Sequence, residues 1–191
     1  MTESRELPPT GPGPDRRVSL VITNFNGIEN LRAYLPLNLM VAAASPECDE
    51  VIVVDDGSTD GSLEYLWKTF PGLRVVPLFE NRGFGHAANS GFRAARNDLV
   101  VNISNDMVIT GYFFEYLLEN MVLPDIFHVS ARLVGPDGRI QKGRTIPFFV
   151  GDFKIWKVFL IVGGPVGIAG DVTVVGPLER QTHVASPPIR S

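Results

Sequence analysis

Residues 51–62 read VIVVDDGSTDGS: four apolar residues run straight into two adjacent carboxylates, Asp55 and Asp56, followed by Gly57 and small hydroxyl residues. A β-branched run of this kind is a strand, and the Gly-Ser-Thr after it stops the strand in a turn. Two neighbouring carboxylates repel each other, so the pair needs solvent, a metal or hydrogen-bond donors around it. At the end of a strand the two side chains point to opposite sides of the pleat. One can then face a ligand, such as a base imide or a ribose hydroxyl, while the other accepts backbone N–H groups. Two capping acids at a strand-to-helix turn are the plainer reading, and the motif alone leaves both open.

Working outward, VSLVITNFN (18–26) is a strand that ends in turn-prone Asn-Phe-Asn-Gly. Leu31, Tyr34, Leu35 and Leu39 follow at helical spacing. After the doubled Asp, Ser58, Thr59 and Asp60 are N-cap candidates, and Leu63, Leu66, Trp67 and Phe70 mark one helical face. LRVVPLF (73–79) reads as a third strand. In NRGFGHAANSGFRAARND (81–98), Ala87, Ala88, Gly91 and Ala95 give a helix a face of small residues that can sit close to a sheet. LVVNIS (99–104) is the next strand and runs into Asn105-Asp106. A helix around 111–123 with Phe113, Tyr116, Leu117 and Met121, a strand FHVSARLV (127–134) and a turn GPDG (135–138) follow. Strand and helix alternate four times, the pattern of an α/β domain with a mostly parallel sheet flanked by helices. Ligands of such sheets bind outside the carboxyl ends of the strands. Three of those ends, 23–26, 55–58 and 104–106, are polar here.

The chain has 191 residues, 45% of them hydrophobic, enough for one domain with a real core. Its net charge of −4 and the lack of a long basic run give no footing for a nucleic-acid partner. The single cysteine, Cys48, cannot form an internal disulfide and fits a reducing, cytoplasmic compartment. Residues 1–17 hold four Pro and two Gly between Pro8 and Pro14, without an apolar signal region, and read as a disordered leader. VFLIVGGPVGIAG (158–170) is broken by four Gly and a Pro and falls short of the ~20 apolar residues of a spanning helix. It reads as buried strand and turn. The other reading, a contact with a membrane surface, would place the chain peripherally at the inner face.

At the polar edge, Asp106 beside an amide is a plausible oxygen-ligand set for Mg²⁺ or Mn²⁺, with a diphosphate and water completing the shell, or else a turn residue. Gly83, Gly85 and Ala88 match G-x-G-x-x-A, the fingerprint of dinucleotide oxidoreductases. That fingerprint normally follows the first strand of its unit, whereas two strand–helix units precede it here, and the doubled Asp would have no task. No P-loop motif occurs. His86 is expected at the surface of a first helical turn, and Cys48, in an acidic loop, lacks an activating partner.

Taken together, VSLVITNFNG, VIVVDDGSTDGS, ENRGFGHAANSGFRAA and NISNDM, in this order and spacing, resemble the family 2 glycosyltransferases of the GT-A (Rossmann-like) fold over roughly residues 18–135. The resemblance implies a nucleotide-diphosphate sugar as donor and a glycan, lipid-linked or protein acceptor. It implies an inverting, metal-assisted transfer to an acceptor hydroxyl. Thr23 and Phe25 would line the nucleobase pocket with Asn26 beside them. Asp56 would accept from the base imide next to Asp55, and Asn81 through Asn89, with Gly83, would flank the donor. Asp106 would be the metal-binding acid, with Asn105 in the place of a more usual first Asp.

The pattern fades after about residue 150, so the chain divides into the leader, a nucleotide-sugar-binding domain over 18–150 and a divergent or incomplete segment over 151–191. The late acidic motif that supplies this family's catalytic base is not recognisable. Asp171 and Glu179 stand in no such motif, and Asp152 is a further candidate. The chain therefore reads as a glycosyltransferase, as a truncated product, or as a non-catalytic nucleotide-sugar-binding module.

Overall fold

The computed structural model describes residues 16–119 in full and, for 128–134, 140–141, 157–160 and 166–175, the backbone. Strands β1 (Val18–Asn24), β2 (Cys48–Asp55), β3 (Arg74–Pro77), β4 (Leu99–Ser104), and β8 (Lys157–Leu160) form one parallel sheet in the order β3-β2-β1-β4-β8. Helices α1 (Ile28–Ala44), α2 (Ser62–Thr69) and α3 (Phe84–Ala94) connect its first four strands. The order turns back at β1, which pairs with both β2 and β4. That arrangement opens a crevice above the carboxyl ends of these strands. A second sheet has the order β5-β9-β6-β7, from β5 (Met107–Val108), β6 (His128–Val134), β7 (Ile140–Gln141) and β9 (Val166–Val175). Helix α4 (Phe113–Glu119) lies between β5 and β6 in the chain.

Alternation along the strands sorts the core into two layers. Leu20, Ile22, Val53, Val101 and Ile103 face Leu31 and Leu35 of α1, Leu66 of α2 and Phe114 of α4. Val21, Ile52, Val54 and Val100 face Ala87 of α3. The small face of α3 serves close approach: a Cβ on Gly91 would lie 2.3 Å from Cγ1 of Val21. At the amino end of the sheet, buried Glu50 accepts from Ser19 Oγ (2.5 Å), Arg74 Nη1 (2.5 Å) and Arg96 N (2.9 Å), tying the starts of β1, β2 and β3 together. Burial opposes ionisation of Glu50, but the donors from Arg96, Ser19 and Arg74 outweigh it and hold its carboxyl below the usual range.

Several expectations need correction. Trp67 is 55% exposed: Ser62 and Leu66 face the sheet one turn apart, which turns Trp67 outward. Tyr116 is exposed as well, because Phe113, Phe114, Leu117 and Leu118 fill the inner face of α4. The third strand is shorter than 73–79: among the described residues it is an edge strand paired only with β2, and it ends at Pro77. Ala95 lies at the C-cap of α3 in extended backbone. His86 is half-buried in the first turn of α3. Cys48 is buried and its thiol is pushed up to about 11, chiefly by desolvation, so it stays protonated at neutral pH. The 158–170 stretch contributes to β8 and β9. The leader up to residue 15, Met121, the turn at 135–138, Asp152 and Glu179 lie outside the described residues, as does the side chain of Asp171.

Candidate functional site

The carboxyl ends of β2, β1 and β4 stand side by side, with Asn24 in register with Asp55 and Thr23 with Ser104. The ladder continues past the strands: Asp56 N donates to Asn24 O (2.8 Å), and Asn105 N donates to Thr23 O (3.0 Å). The three polar ends therefore form one edge, as expected from the sequence.

Both acids of the doubled Asp are buried and both accept hydrogen bonds. Asp55 takes Asn24 Nδ2 (2.7 Å) and the N–H of Ser58 (2.9 Å), closing the turn after β2. Asp56 takes the N–H groups of Arg82 (3.2 Å) and Gly83 (2.8 Å), so it clamps the loop that opens α3. Each acid thus serves a backbone turn, Asp55 the one that follows it and Asp56 the loop at 81–83. Asn81 Oδ1 also accepts from Gly83 N (2.8 Å), and Asn89 sits half-buried on α3. Phe25 is 46% exposed at the rim. Asn26 is exposed, takes φ 46°, and accepts from Thr59 N (2.8 Å) while its own N–H donates to Ser58 Oγ (2.8 Å). Thr23 is buried and donates to Ile103 O (3.3 Å).

Asp106 is half-buried and accepts from the Ser104 hydroxyl. Its flanks are fixed by asparagines, of which the sequence singled out Asn105 but not Asn24, Asn30 or Asn38. Asn105 Nδ2 donates to Asn24 Oδ1 (2.5 Å), and Asn105 Oδ1 accepts from Asn30 Nδ2 (3.3 Å). Asn38, fully buried on α1, donates to Met107 O (2.8 Å) and accepts from Ile109 N (2.9 Å). A signal for Asn38 was available: it falls in the Leu31–Leu35–Ala42 stripe, where a polar residue needs buried partners. Asp60 was flagged as a cap, yet it caps two helices. Oδ2 accepts from Ile28 N (2.9 Å) of α1, and Oδ1 accepts from Ser62 N (3.0 Å) and Oγ (2.6 Å) of α2. Gly27 and Gly61 occupy the two N-cap positions and bring no side-chain cap of their own. Partial burial works against ionisation of Asp60, but the Ser62 hydroxyl and the N–H groups of Ile28 and Ser62 outweigh it and hold its carboxyl low.

The family profile described as Glycosyl transferase family 2 matches residues 19–163. The chain belongs to glycosyltransferase family 2. Among curated relatives of this family 2 chain, the Undecaprenyl-phosphate 4-deoxy-4-formamido-L-arabinose transferase of Serratia proteamaculans is 34% identical over 98 residues, 49% of this chain and 30% of that protein. The protein of the same description from Yersinia pestis is 31% identical over the same shares. The chain thus spans about a third of the length of these relatives. Among solved structures, the mannosyltransferase PcManGT from Pyrobaculum calidifontis, in complex with GDP-Man and Mn²⁺, superposes with a TM-score of 0.51 at 23% identity, covering 68% of this chain and 39% of that one. TarS 1–349 of S. aureus gives 0.52 at 23% identity, with 69% and 38% covered. The family 2 fold expected from the sequence, a mostly parallel GT-A-like sheet flanked by helices, is the one observed. The oxidoreductase reading finds no support in these matches. Among the described residues no helix is long and apolar enough to cross a membrane.

Proposed function

We propose that the polar edge binds the nucleotide-diphosphate sugar of a glycosyl transfer. The observation that carries this reading is the convergence of Thr23, Asp55, Asp56 and Asp106 at the turning point of the parallel sheet, in a chain of this family. Phe25 and Thr23 border the base, and Asp56 accepts from the base edge while it holds the 81–83 loop against the donor. Asn26, Gly83, Asn81 and Asn89 shape the wall on the α3 side. The donor-binding unit takes in residues 18–150 together with β8 (Lys157–Leu160), which pairs with β4 in the same parallel sheet.

Among the described residues no three His, Cys, Asp or Glu side chains gather to hold a metal. A part-exposed carboxylate at a strand end is nevertheless a fitting hard-oxygen donor for Mg²⁺ or Mn²⁺ when the nucleotide's own phosphates supply the other oxygens. Asp106 would hold that ion, which, when bound, offsets the charge that builds on the departing diphosphate. The chain's own residues bind and orient: the 105–109 segment stays fixed, and the 81–83 loop excludes water from the base. The curated relatives, which are undecaprenyl-phosphate transferases, support a lipid-linked acceptor and, with it, work at a membrane surface. The base that takes the acceptor's proton is unassigned among the described residues.

Titration calorimetry with uridine, thymidine and guanosine diphosphates, with Mn²⁺ and with a chelator, tests this reading. Asp106→Asn is expected to lose the metal-dependent part of the affinity. Asp56→Ala is expected to weaken binding by roughly 10- to 100-fold under both conditions, in line with the loss of one or two charge-assisted hydrogen bonds. Absence of binding by any of the three at millimolar concentration overturns the reading.

A further inference from the structure

Asn24 belongs to none of the residues first assigned to the site, yet its amide joins Asp55 to Asn105. Which end of an amide points where follows from its partners. A carboxylate only accepts, so the end of Asn24 facing Asp55 Oδ2 at 2.7 Å is the NH₂ group. Asn24 is 2% exposed and has no water to turn to, so its carbonyl is what remains for residue 105. Residue 105 must then donate. Asn105 does, through Nδ2 at 2.5 Å, and its Oδ1 is occupied in turn by Asn30 Nδ2 at 3.3 Å. The space for this contact comes from Gly27, where a Cβ would lie 1.8 Å from Asn105 Nδ2 and 2.7 Å from Asn24 Oδ1.

We propose that Asp55, through Asn24, fixes residue 105 as a hydrogen-bond donor into the fold, so that Asn105 is a positioning residue for Asp106 and not a metal ligand. The proposal rests on the reading of Asp106 as the acid beside the diphosphate. With its backbone N–H on Thr23 O and its side chain locked on Asn24 and Asn30, Asn105 sets where the next residue leaves the sheet edge. An aspartate at 105 would press a carboxylate against the Asn24 carbonyl, two acceptors with no hydrogen between them. The asparagine at this position is therefore matched to the asparagine at 24 and the aspartate at 55.

A charge-swap cycle on the 191-residue chain tests this. In Asp55→Asn/Asn105→Asp the polarity can reverse: the amide at 55 donates to Asn24 Oδ1 and keeps the Ser58 N–H on its own oxygen, and the turned Asn24 donates to the carboxylate at 105. Thermal unfolding without ligand should show Asn105→Asp melting roughly 5–10 °C below wild type, with the double variant recovering at least half of that loss. Affinity for the best-bound nucleoside diphosphate with Mn²⁺ should fall about tenfold in Asn105→Asp and return in the double variant. If Asn105→Asp does not fold, a cooperative transition regained in the double variant supports the relay. A double variant no better than the worse single one overturns it. So does an Asn105→Asp protein that keeps its Tm and binds Mn²⁺ and diphosphate more tightly, because Asn105 would then stand where a ligand belongs. The melting arm needs no ligand, so a wild type that binds no nucleotide sinks the functional reading and leaves the cycle able to decide the relay.

Discussion

At Gly57 the backbone takes φ +74°, and a Cβ there would lie 2.7 Å from the carbonyl carbon of Glu80 and 2.8 Å from Asn81 N. The turn after β2 and the loop before α3 are thus in backbone contact, directly beside Asp56. Gly57→Ala should lose roughly 2–4 kcal/mol, from left-handed strain plus a clash that only a moving backbone can relieve. Urea denaturation measures this, and a change below ~0.5 kcal/mol would show that the loop is not seated on that turn. The doubled Asp was legible because a run of β-branched residues ending in acids has few uses. Its partners were not: the N–H groups that Asp56 holds lie 26 and 27 residues further on, and nothing local marks them.

Among the elements, α1 does more than cover the sheet. Its buried Asn38 supplies a donor and an acceptor to the backbone of 107–109, as a neighbouring strand would. Asn38→Leu keeps the volume and strands Met107 O and Ile109 N, which should cost about 2–4 kcal/mol. The same variant should weaken Mn²⁺-dependent nucleotide binding; unchanged binding would mean that the 107–109 segment holds its place without α1. Helix α1 itself was readable from Leu31, Leu35 and Leu39, whose spacing belongs to a helix. The outward turn of Trp67 was not, because over the eight residues of α2 two neighbouring faces fit the apolar pattern equally well. The edge position of β3 was likewise hidden, since the order of strands is not a local property of sequence.

For the whole molecule, Glu50 at one end of the sheet and Asp60 at the other are both held below the ordinary carboxylate range. A folded-state pKa lower than the unfolded one means that protonation favours unfolding. Their contribution is complete above the unfolded values of roughly 4.3 and 3.9, and fades as pH falls through the lower folded values. Tm should be flat from about pH 7 to 5 in this respect and drop below about pH 4. Glu50→Gln and Asp60→Asn should each lower Tm at neutral pH and flatten the acid limb; parallel curves for wild type and variants would remove these two groups from the account. The asparagine clamps have a consequence in time as well. Residues 24, 30 and 38 reach partners that are 69 to 81 positions away in the chain, across two intervening strand–helix units. Contacts of such long range form late, after the loops between them have closed. In refolding from urea, helical circular dichroism should therefore recover ahead of nucleotide binding, leaving an interval in which the helices have formed and the polar edge, like the β1–β4 pairing of equal range, is still unmade.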